Sequence, residues 1–479
     1  MAFTDRLHNR GSISTGFDVD NSSAYDSTRN HWLEKTIPYN SGRSNNSYNK
    51  ATYSVWLKRG RLGTNQFFLG GSNSARYWAV KFNTDNKLEI YTHSGISGYN
   101  GTSPITTRKF NDNASWYHIV LRYDTTLSTA GDRLRLYING VEEDTWDTAP
   151  NIDQDAEGEF TTLSNVVHVW GGQNGYYNST GSNFDGYLAD VNFLANQSAA
   201  PTEFGEFNTN GVWVPIDVSP TYAALADSYR LEFQNSGTIG EDSSGSGLDF
   251  AGGTGTPIQS TDTCTNNFCV WNFNDSTMAE FGHSSGNPTG FSGGQLLRQG
   301  ASSAYNPCVG TFAIDITSTS SIWYWEFQSQ TNIASSGNPA EGTIGWVGED
   351  SLYTYAVSNP TNNIKNTGTT RYLSDYFSSA GADVVMGVLL DCSTSNKKIK
   401  IYNNDTLVYT KENLGGGPLF FPMVSVYGSS GEFVANFGGT QIQEWGGTNS
   451  NNDPNGYGNF RFTTKSGYAL CSKNLAEFG

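Results

Sequence analysis

The sequence of 479 residues is poor in charge, in basic residues and in long apolar runs. Charged residues make up 15% of the chain, whereas about a quarter is usual for soluble proteins. Lys and Arg number 28 against 45 Asp and Glu, a net charge of −17. This acidic balance argues against a nucleic-acid partner, which would need a basic face. Because no run of about 18 apolar residues occurs, no membrane insertion is expected.

Cysteine and histidine are scarce as well. The five cysteines are irregularly spaced and odd in number, so they do not indicate a disulfide framework. Together with the six histidines they do not form the ligand pattern of a zinc site. We expect reduced, partly buried thiols and folding in a reducing cytoplasm. The opening residues lack the apolar stretch of a secretory signal, so none is expected.

The sequence is rich in glycine (54 residues), in aromatic residues (14%) and in short alternating patterns. In "DRLRLYINGVEEDTW", Leu134, Leu136 and Ile138 share one face, and Asn139-Gly140 predicts a type I′ hairpin turn. A second hairpin is predicted over residues 397–410. Many short strands separated by turns predict an all-β fold of two antiparallel β-sandwiches.

No catalytic motif is evident. The nearest match to the paired carboxylates of a glycoside hydrolase is "NIDQDAEGEF", but Pro150 and Gly158 favour an exposed acidic turn there. No nucleophile elbow, zinc-protease helix or phosphate-binding loop occurs. We therefore expect no enzymatic activity. His118 and His168 lie in strand patterns and are interpreted as packed or surface histidines.

With no catalytic motif in the sequence, ligand recognition is the function class that remains. Aromatic rings beside Asn, Asp and Gly in loops are typical of sugar binding, because a ring stacks on the C–H face of a sugar while amides bind its hydroxyls. Core or subunit contacts are the alternative for each ring. The glycan-binding candidates are Tyr99, Tyr176, Tyr177, Trp346, Tyr353, Tyr355 and Tyr372.

The stretch "EDSSGSGLDF", residues 241–250, has the composition of a metal loop, with Asp242 and Asp249 as candidate calcium ligands. Aligned as an EF-hand from Asp242, it places Gly253 at the last ligand position, where a carboxylate is required. We favour a turn in which glycines adopt positive φ and Asp242 caps local amides. No cofactor other than calcium is considered.

Residues 46–275 resemble the concanavalin A-like, laminin-G-like sandwich. More narrowly, they are similar to a family of virion proteins from marine and cyanobacterial bacteriophages, usually labelled tail fibre or structural protein. The motifs that carry this resemblance are "YSVWLKRG", "SWYHIVLRYDTT", "FDGYLADVNFLANQSAAPTEFGEF", "GVWVPIDVS" and "TNNFCVWN".

The second half resembles a SPRY (B30.2-like) sandwich, a recognition module. The matching stretches are "SIWYWEF", "GTIGWVG", "VVMGVLLDCSTSNKKIKIYNNDTLVYT" and "FFPMVSVYGSSGEFVANFGG". With both resemblances, four regions are expected along the chain. They are an N-terminal virion-attachment arm (1–46), a concanavalin A-like sandwich (47–225), a closing strand and glycine-rich junction (226–264) and a SPRY-like sandwich (265–479).

These resemblances imply a virion protein that is assembled in the bacterial cytoplasm. The expected role is a tail fibre or appendage that recognises host surface glycans and binds other virion proteins through its arm. Since fibres are commonly trimeric, a homo-oligomer, favoured as a trimer, is expected. The alternatives are a head-decoration or tail structural protein that binds only other virion proteins, and a polysaccharide depolymerase.

Overall fold

The chain forms two compact units, which are divided between Thr265 and Asn266. The structure is a computed structural model. It describes residues 16–37, 49–72, 77–92, 103–156, 166–172, 182–218, 222, 227–273, 289–298, 305–329, 342–348, 354–358, 363–365, 385–414, 419–427, 432–440 and 447–479.

The N-terminal unit is a sandwich of two eight-stranded antiparallel sheets. Sheet 1 has the order β10-β9-β8-β3-β13-β1-β18, with β16 also paired to β13, and sheet 2 has the order β11-β7-β6-β5-β4-β12-β2-β17. Strands β14 and β15 form a separate hairpin. The strands are β1 (Ser22–Tyr25), β2 (Leu33–Thr36), β3 (Lys50–Arg59), β4 (Gln66–Ser72), β5 (Tyr77–Phe82), β6 (Lys87–Thr92), β7 (Ile105–Lys109), β8 (Trp116–Asp124), β9 (Leu134–Ile138), β10 (Val141–Glu142), β11 (Trp146–Thr148), β12 (Val167–Trp170), β13 (Gly186–Ala195), β14 (Gly205–Phe207), β15 (Trp213–Pro215), β16 (Tyr229–Leu231), β17 (Ala251–Gly252) and β18 (Ile258–Ser260).

The C-terminal unit is a second antiparallel sandwich, of two seven-stranded sheets and one short helix, α1 (Ser472–Phe478). Sheet 3 has the order β19-β22-β31-β25-β26-β27, with β23 also paired to β31, and sheet 4 has the order β20-β21-β32-β24-β28-β29-β30. The strands are β19 (Trp271–Asn272), β20 (Thr289–Phe291), β21 (Leu296–Arg298), β22 (Tyr305–Gly310), β23 (Ile314–Asp315), β24 (Ile322–Ser329), β25 (Gly342–Gly348), β26 (Thr354–Ser358), β27 (Asn363–Lys365), β28 (Val385–Asp391), β29 (Lys398–Asn403), β30 (Thr406–Glu412), β31 (Leu419–Tyr427), β32 (Glu432–Asn436), β33 (Asn451–Asn452) and β34 (Asn459–Phe460). The predicted all-β fold of two sandwiches is confirmed.

Two regions that were expected to lie outside the first sandwich are part of it. Strands β1 and β2, from the predicted arm, pair with β13 and β12, so the arm prediction is wrong for residues 16–37. Strand β16 lies in the closing strand that was expected at the start of residues 226–264, whereas β17 and β18, from the predicted glycine-rich junction, also join the two sheets. The buried residue Ser22 explains the error, because its hydroxyl donates to the Asp262 carbonyl at 2.5 Å. Ser22 and Asp262 lie 240 residues apart in the sequence, so a polar pair of this kind gives no local apolar pattern.

The predicted turn at Asn139-Gly140 is confirmed, with φ of 50° and 77° at the two residues. Leu134, Leu136 and Ile138 face the core between the sheets as expected. Glycine is also required at position 140 for a packing reason, since an added Cβ would lie 2.3 Å from the Trp213 ring.

His118 is packed on the outer face of sheet 1. Its ring stacks between Trp56 and Trp213, with centroids 4.6 and 6.0 Å away. The Trp213 indole donates to Nδ1 at 2.9 Å, and Nε2 lies 2.8 Å from the Ser54 hydroxyl. His168 is likewise fully buried, so both histidines are packed, which was one of the two interpretations from the sequence.

A fully buried ion pair joins β3 to the last residues of the N-terminal unit. Lys58 Nζ lies 2.8 Å from Asp262, and neither side chain is exposed. The Trp116 indole donates to the second carboxylate oxygen at 3.2 Å. All five cysteines of the chain are buried thiols, and none of them forms a disulfide.

Glu326 holds the C-terminal segment against β24. Its Oε1 accepts hydrogen bonds from the Tyr324 hydroxyl and the Phe462 N–H at 3.0 and 2.9 Å. Its Oε2 accepts from the Asn436 amide and the Arg461 N–H at 3.1 and 3.0 Å. One carboxylate therefore accepts four hydrogen bonds, two from buried side chains and two from partly buried backbone N–H groups.

Candidate functional site

Most glycan-binding candidates from the sequence lie outside the described residues. Trp346 and Tyr355 lie opposite each other on the paired strands β25 and β26, although their side chains lie outside the described part. The roles proposed for all seven residues therefore stay predictions. The residues outside the described part are Tyr99, Tyr176, Tyr177, Tyr353 and Tyr372.

The acidic loop at 241–250 is held together by its own amides. Asp242 is buried, and its Oδ1 accepts from the N–H groups of Arg230 and Ser244 at 3.0 and 2.9 Å. Its Oδ2 accepts from the Leu248 N–H at 2.9 Å, and the Asp242 N–H donates to Asp249. Both carboxylate oxygens thus serve as turn acceptors, which is the arrangement that the sequence favoured.

The glycines of this loop have the expected backbone. Gly245 and Gly247 adopt φ of 87° and 71°, which a glycine tolerates without strain. Among the described residues, no group of three His, Cys, Asp or Glu side chains is arranged to hold a metal ion. The acidic residues Asp153 and Asp155 are exposed, as a solvated turn requires.

A different group of side chains comes together on the outer face of sheet 2. Strand β5 alternates strictly, so that Trp78, Val80 and Phe82 enter the core. Tyr77 and Lys81 therefore point to the opposite face. Register places Phe67 of β4 and Glu89 of β6 directly beside Lys81, and Tyr91 beside Ala79. We call the group of Phe67, Tyr77, Lys81, Glu89 and Tyr91 the Lys81 cluster.

Lys81 occupies the centre of this cluster. Its ammonium lies 3.3 Å from the Glu89 carboxylate, 5.3 Å from the Phe67 ring centre and 5.1 Å from the Tyr91 ring centre. The Lys81 and Glu89 side chains are 12% and 13% exposed, so water is partly excluded from the pair. A cation over aromatic faces is favourable, and partial desolvation strengthens the attraction.

The two tyrosines are held in place by each other. The rings of Tyr77 and Tyr91 stack with centroids 5.6 Å apart, and the Tyr77 hydroxyl donates to that of Tyr91 at 3.0 Å. Lys81 also donates to the Asn65 amide oxygen at 3.4 Å. The cluster thus presents rings, a cation, a carboxylate and an amide in fixed positions.

Small residues lie in the row next to Lys81. Gly70 of β4 pairs with Ala79 of β5, which pairs with Tyr91 of β6. Gly70 is buried and Ala79 is 0% exposed, so other parts of the protein cover this row. The accessible part of the cluster is formed by Lys81, Glu89 and Tyr91, which are each partly exposed.

Local sequence patterns do not predict this cluster. The alternation of "YWAVKF" places Tyr77 and Lys81 on one face, but the cluster depends on the pairing of three strands. Its geometry is able to orient a ligand that has both apolar faces and hydroxyl groups. Nothing in it resembles a nucleophile with an activating base.

Comparison with known proteins concerns the fold of each half. Residues 36–200 match the family model described as the concanavalin A-like lectin/glucanases superfamily. No protein of curated function matches the chain. In the described part of the chain, no helix has the length and apolar character needed to cross a membrane.

Three solved structures are similar in fold. The SAP-like pentraxin from Limulus polyphemus is 14% identical with a TM-score of 0.28, over 39% of this chain and 80% of that one. The SPRY domain of human HERC1 is 18% identical with a TM-score of 0.21, over 29% and 87%. The LG1–3 region of the laminin α2 chain is 10% identical with a TM-score of 0.31, over 90% of this chain and 60% of that region. At these identities the likeness concerns the fold alone.

Proposed function

We propose that the N-terminal sandwich binds a glycan at the Lys81 cluster. The observation that carries this proposal is the partly exposed group of Lys81, Glu89 and Tyr91 on the outer face of sheet 2. The match of residues 36–200 to a superfamily of lectins and glucanases supports the same ligand class.

The ligand would be held by two kinds of contact. The apolar C–H face of a sugar ring would pack on the Tyr91 ring, as aromatic side chains with polar tips favour. Lys81, Glu89 and the Asn65 amide would exchange hydrogen bonds with the sugar hydroxyls, and these groups already have fixed orientations. This proposal is one of binding without catalysis.

The biological role that we propose is host recognition by a bacteriophage tail fibre or appendage. Its support is the resemblance of residues 46–275 to phage virion proteins, together with the glycan-binding chemistry of the cluster. Imaging of purified particles with a labelled antibody would test the role. A signal on the tail fibres would support it, and a signal on the head would favour a decoration protein.

Glycan binding is tested by screening the full chain on a glycan array and measuring the best ligand by calorimetry. Tyr91→Ala should weaken binding about three- to tenfold, since an aromatic contact contributes about 0.5–1.5 kcal/mol. Lys81→Ala should weaken it similarly. Lys50→Ala is the matched control, because Lys50 pairs with Asp124 at 3.3 Å on sheet 1. Equal affinity in Tyr91→Ala, Lys81→Ala and the wild type would refute the site.

A further inference from the structure

Arg59 is a fully buried cation at one end of the first sandwich. It is the last residue of β3, and its guanidinium lies 4.1 Å from the ring centre of Phe82 in the opposite sheet. Its Nη1 donates to the Phe110 carbonyl at 2.6 Å, and its Nη2 donates to the Arg61 carbonyl at 3.2 Å and to the Gln66 amide oxygen at 3.5 Å. All of these acceptors are neutral.

The positive charge of Arg59 is therefore balanced by dipoles rather than by a carboxylate. Among the described residues, no Asp or Glu forms an ion pair with it, although acidic residues outnumber basic ones in the chain. Burial lowers the pKa of Arg59 to about 9, which reflects the cost of a charge in this place. Buried charges in proteins are ordinarily paired.

Three further polar groups without a protein partner lie in the connection from β3 to β4. They are the Arg59 Nε–H, the Thr64 hydroxyl and the Gln66 Nε2 amide, each buried and without a hydrogen bond to another described residue. Two of the groups are donors only, and a hydroxyl can donate. The Gln66 side chain is 1% exposed, and its oxygen is already turned toward Arg59. The Gln66 amide therefore lies beside the guanidinium, and Thr64 stands two residues before Gln66 in the same connection. Buried donors next to a cation without a carboxylate partner suit an acceptor that carries negative charge.

We propose that Arg59, Thr64 and Gln66 bind a small monovalent anion, ordinarily chloride, at this end of the sandwich. The anion neutralises the guanidinium and accepts the hydrogen bonds that the protein leaves unmade. The connection that holds Thr64 reaches the surface, because Gly63 is exposed. This site lies apart from the Lys81 cluster and does not depend on glycan binding.

The test is thermal unfolding of the full chain in sodium chloride and in sodium gluconate at equal ionic strength. Gluconate is too large for a buried monatomic site, so the two salts differ in binding while their screening is equal. A ligand that binds only the folded state raises Tm with concentration. We expect the wild-type Tm to rise by about 2–4 °C in chloride relative to gluconate.

Three variants separate a bound anion from a general salt effect. The difference between the salts should vanish in Arg59→Met and shrink in Gln66→Leu, and Thr64→Val should behave as Gln66→Leu does. Arg135→Met is the control, since Arg135 pairs with Asp132 and Glu142 on the surface and should keep the wild-type difference. If Arg59→Met fails to fold, the other two variants still decide the matter.

Two results would overturn the proposal. One is the same Tm for the wild type in chloride and in gluconate, which would mean that water satisfies these donors. The other is a chloride effect that persists in Gln66→Leu and Thr64→Val. An anomalous bromide peak beside Arg59 in a crystal grown in sodium bromide would confirm the position, and its absence would count against the site.

Discussion

Lowering the pH from 7 to 5 should destabilise the N-terminal unit through His118 and His168. Both imidazoles are fully buried, and burial lowers the pKa of each from 6.5 to about 3. For His118 the hydrogen bonds also indicate that the ring is neutral in the folded state. The indole of Trp213 can only donate, so the Nδ1 that accepts from it carries no proton. Protonation in the folded state would set two N–H groups against each other.

The sign and size of the change in unfolding free energy follow from the difference between the folded and unfolded pKa of each imidazole. Because the folded pKa is the lower one, this stability is complete above pH 6.5 and is lost progressively as the pH falls toward 3. pH 5 lies about 1.5 units below the unfolded imidazole pKa of 6.5. Each of these pH units corresponds to about 1.4 kcal/mol of unfolding free energy. Each histidine therefore costs about 2 kcal/mol, and the two together about 4 kcal/mol, against a total stability of about 5–15 kcal/mol.

The assay is urea unfolding of the wild type and of His118→Gln at pH 7, 6 and 5. Glutamine offers an oxygen to Trp213 and an N–H to Ser54, so it replaces the neutral ring without a titrating group. The loss of unfolding free energy between pH 7 and 5 should be about 2 kcal/mol smaller in the variant. Asp190, whose pKa burial raises, is common to both proteins. An identical loss in the two proteins would refute the reasoning.

Three single variants, Lys58→Met, Gly140→Ala and Glu326→Gln, test other contacts by the same unfolding measurement. Lys58→Met should cost about 3–5 kcal/mol because Asp262 remains buried without its partner, and Lys58→Met with Asp262→Leu should recover most of it. Gly140→Ala should cost more than about 2 kcal/mol, from positive φ and a ring clash, whereas Gly245→Ala meets open space and should cost about 1 kcal/mol. Glu326→Gln should cost about 2–4 kcal/mol, since one amide oxygen cannot replace two carboxylate oxygens for four donors. A loss below about 0.5 kcal/mol in any of the three would contradict its argument.

The fold class was predictable because its signals are local. The alternation of Leu134, Leu136 and Ile138 fixes which face is buried, and the Asn139-Gly140 turn fixes where the strand returns. The hairpin of β29 and β30 follows the same rule, with positive φ at Asn404 and Asp405. Such patterns hold within a dozen residues, so the sequence reveals them without knowledge of the partner strands.

The predicted arm, residues 1–46, shows the limit of prediction from local sequence patterns. Strand β1 contains Ser22 and Ser23, both fully buried, and its partners β13 and β18 lie more than 150 residues further along the chain. Polar side chains in a buried strand carry no alternation of apolar and polar residues. Their burial depends on acceptors such as the Asp262 carbonyl, which only the fold brings near.

The two candidate sites, residues 241–250 and the Lys81 cluster, also differ in how far the local sequence can predict them. Residues 241–250 combine acids, hydroxyls and glycines, a composition that serves calcium loops and amide-capped turns equally well. What separates the two is the direction of the backbone N–H groups, and three of them point at Asp242. The Lys81 cluster is the opposite case, because its residues are unremarkable in sequence and become a site only through the register of β4, β5 and β6. A ligand site on a sheet face is a property of strand pairing, so its test must alter one strand at a time.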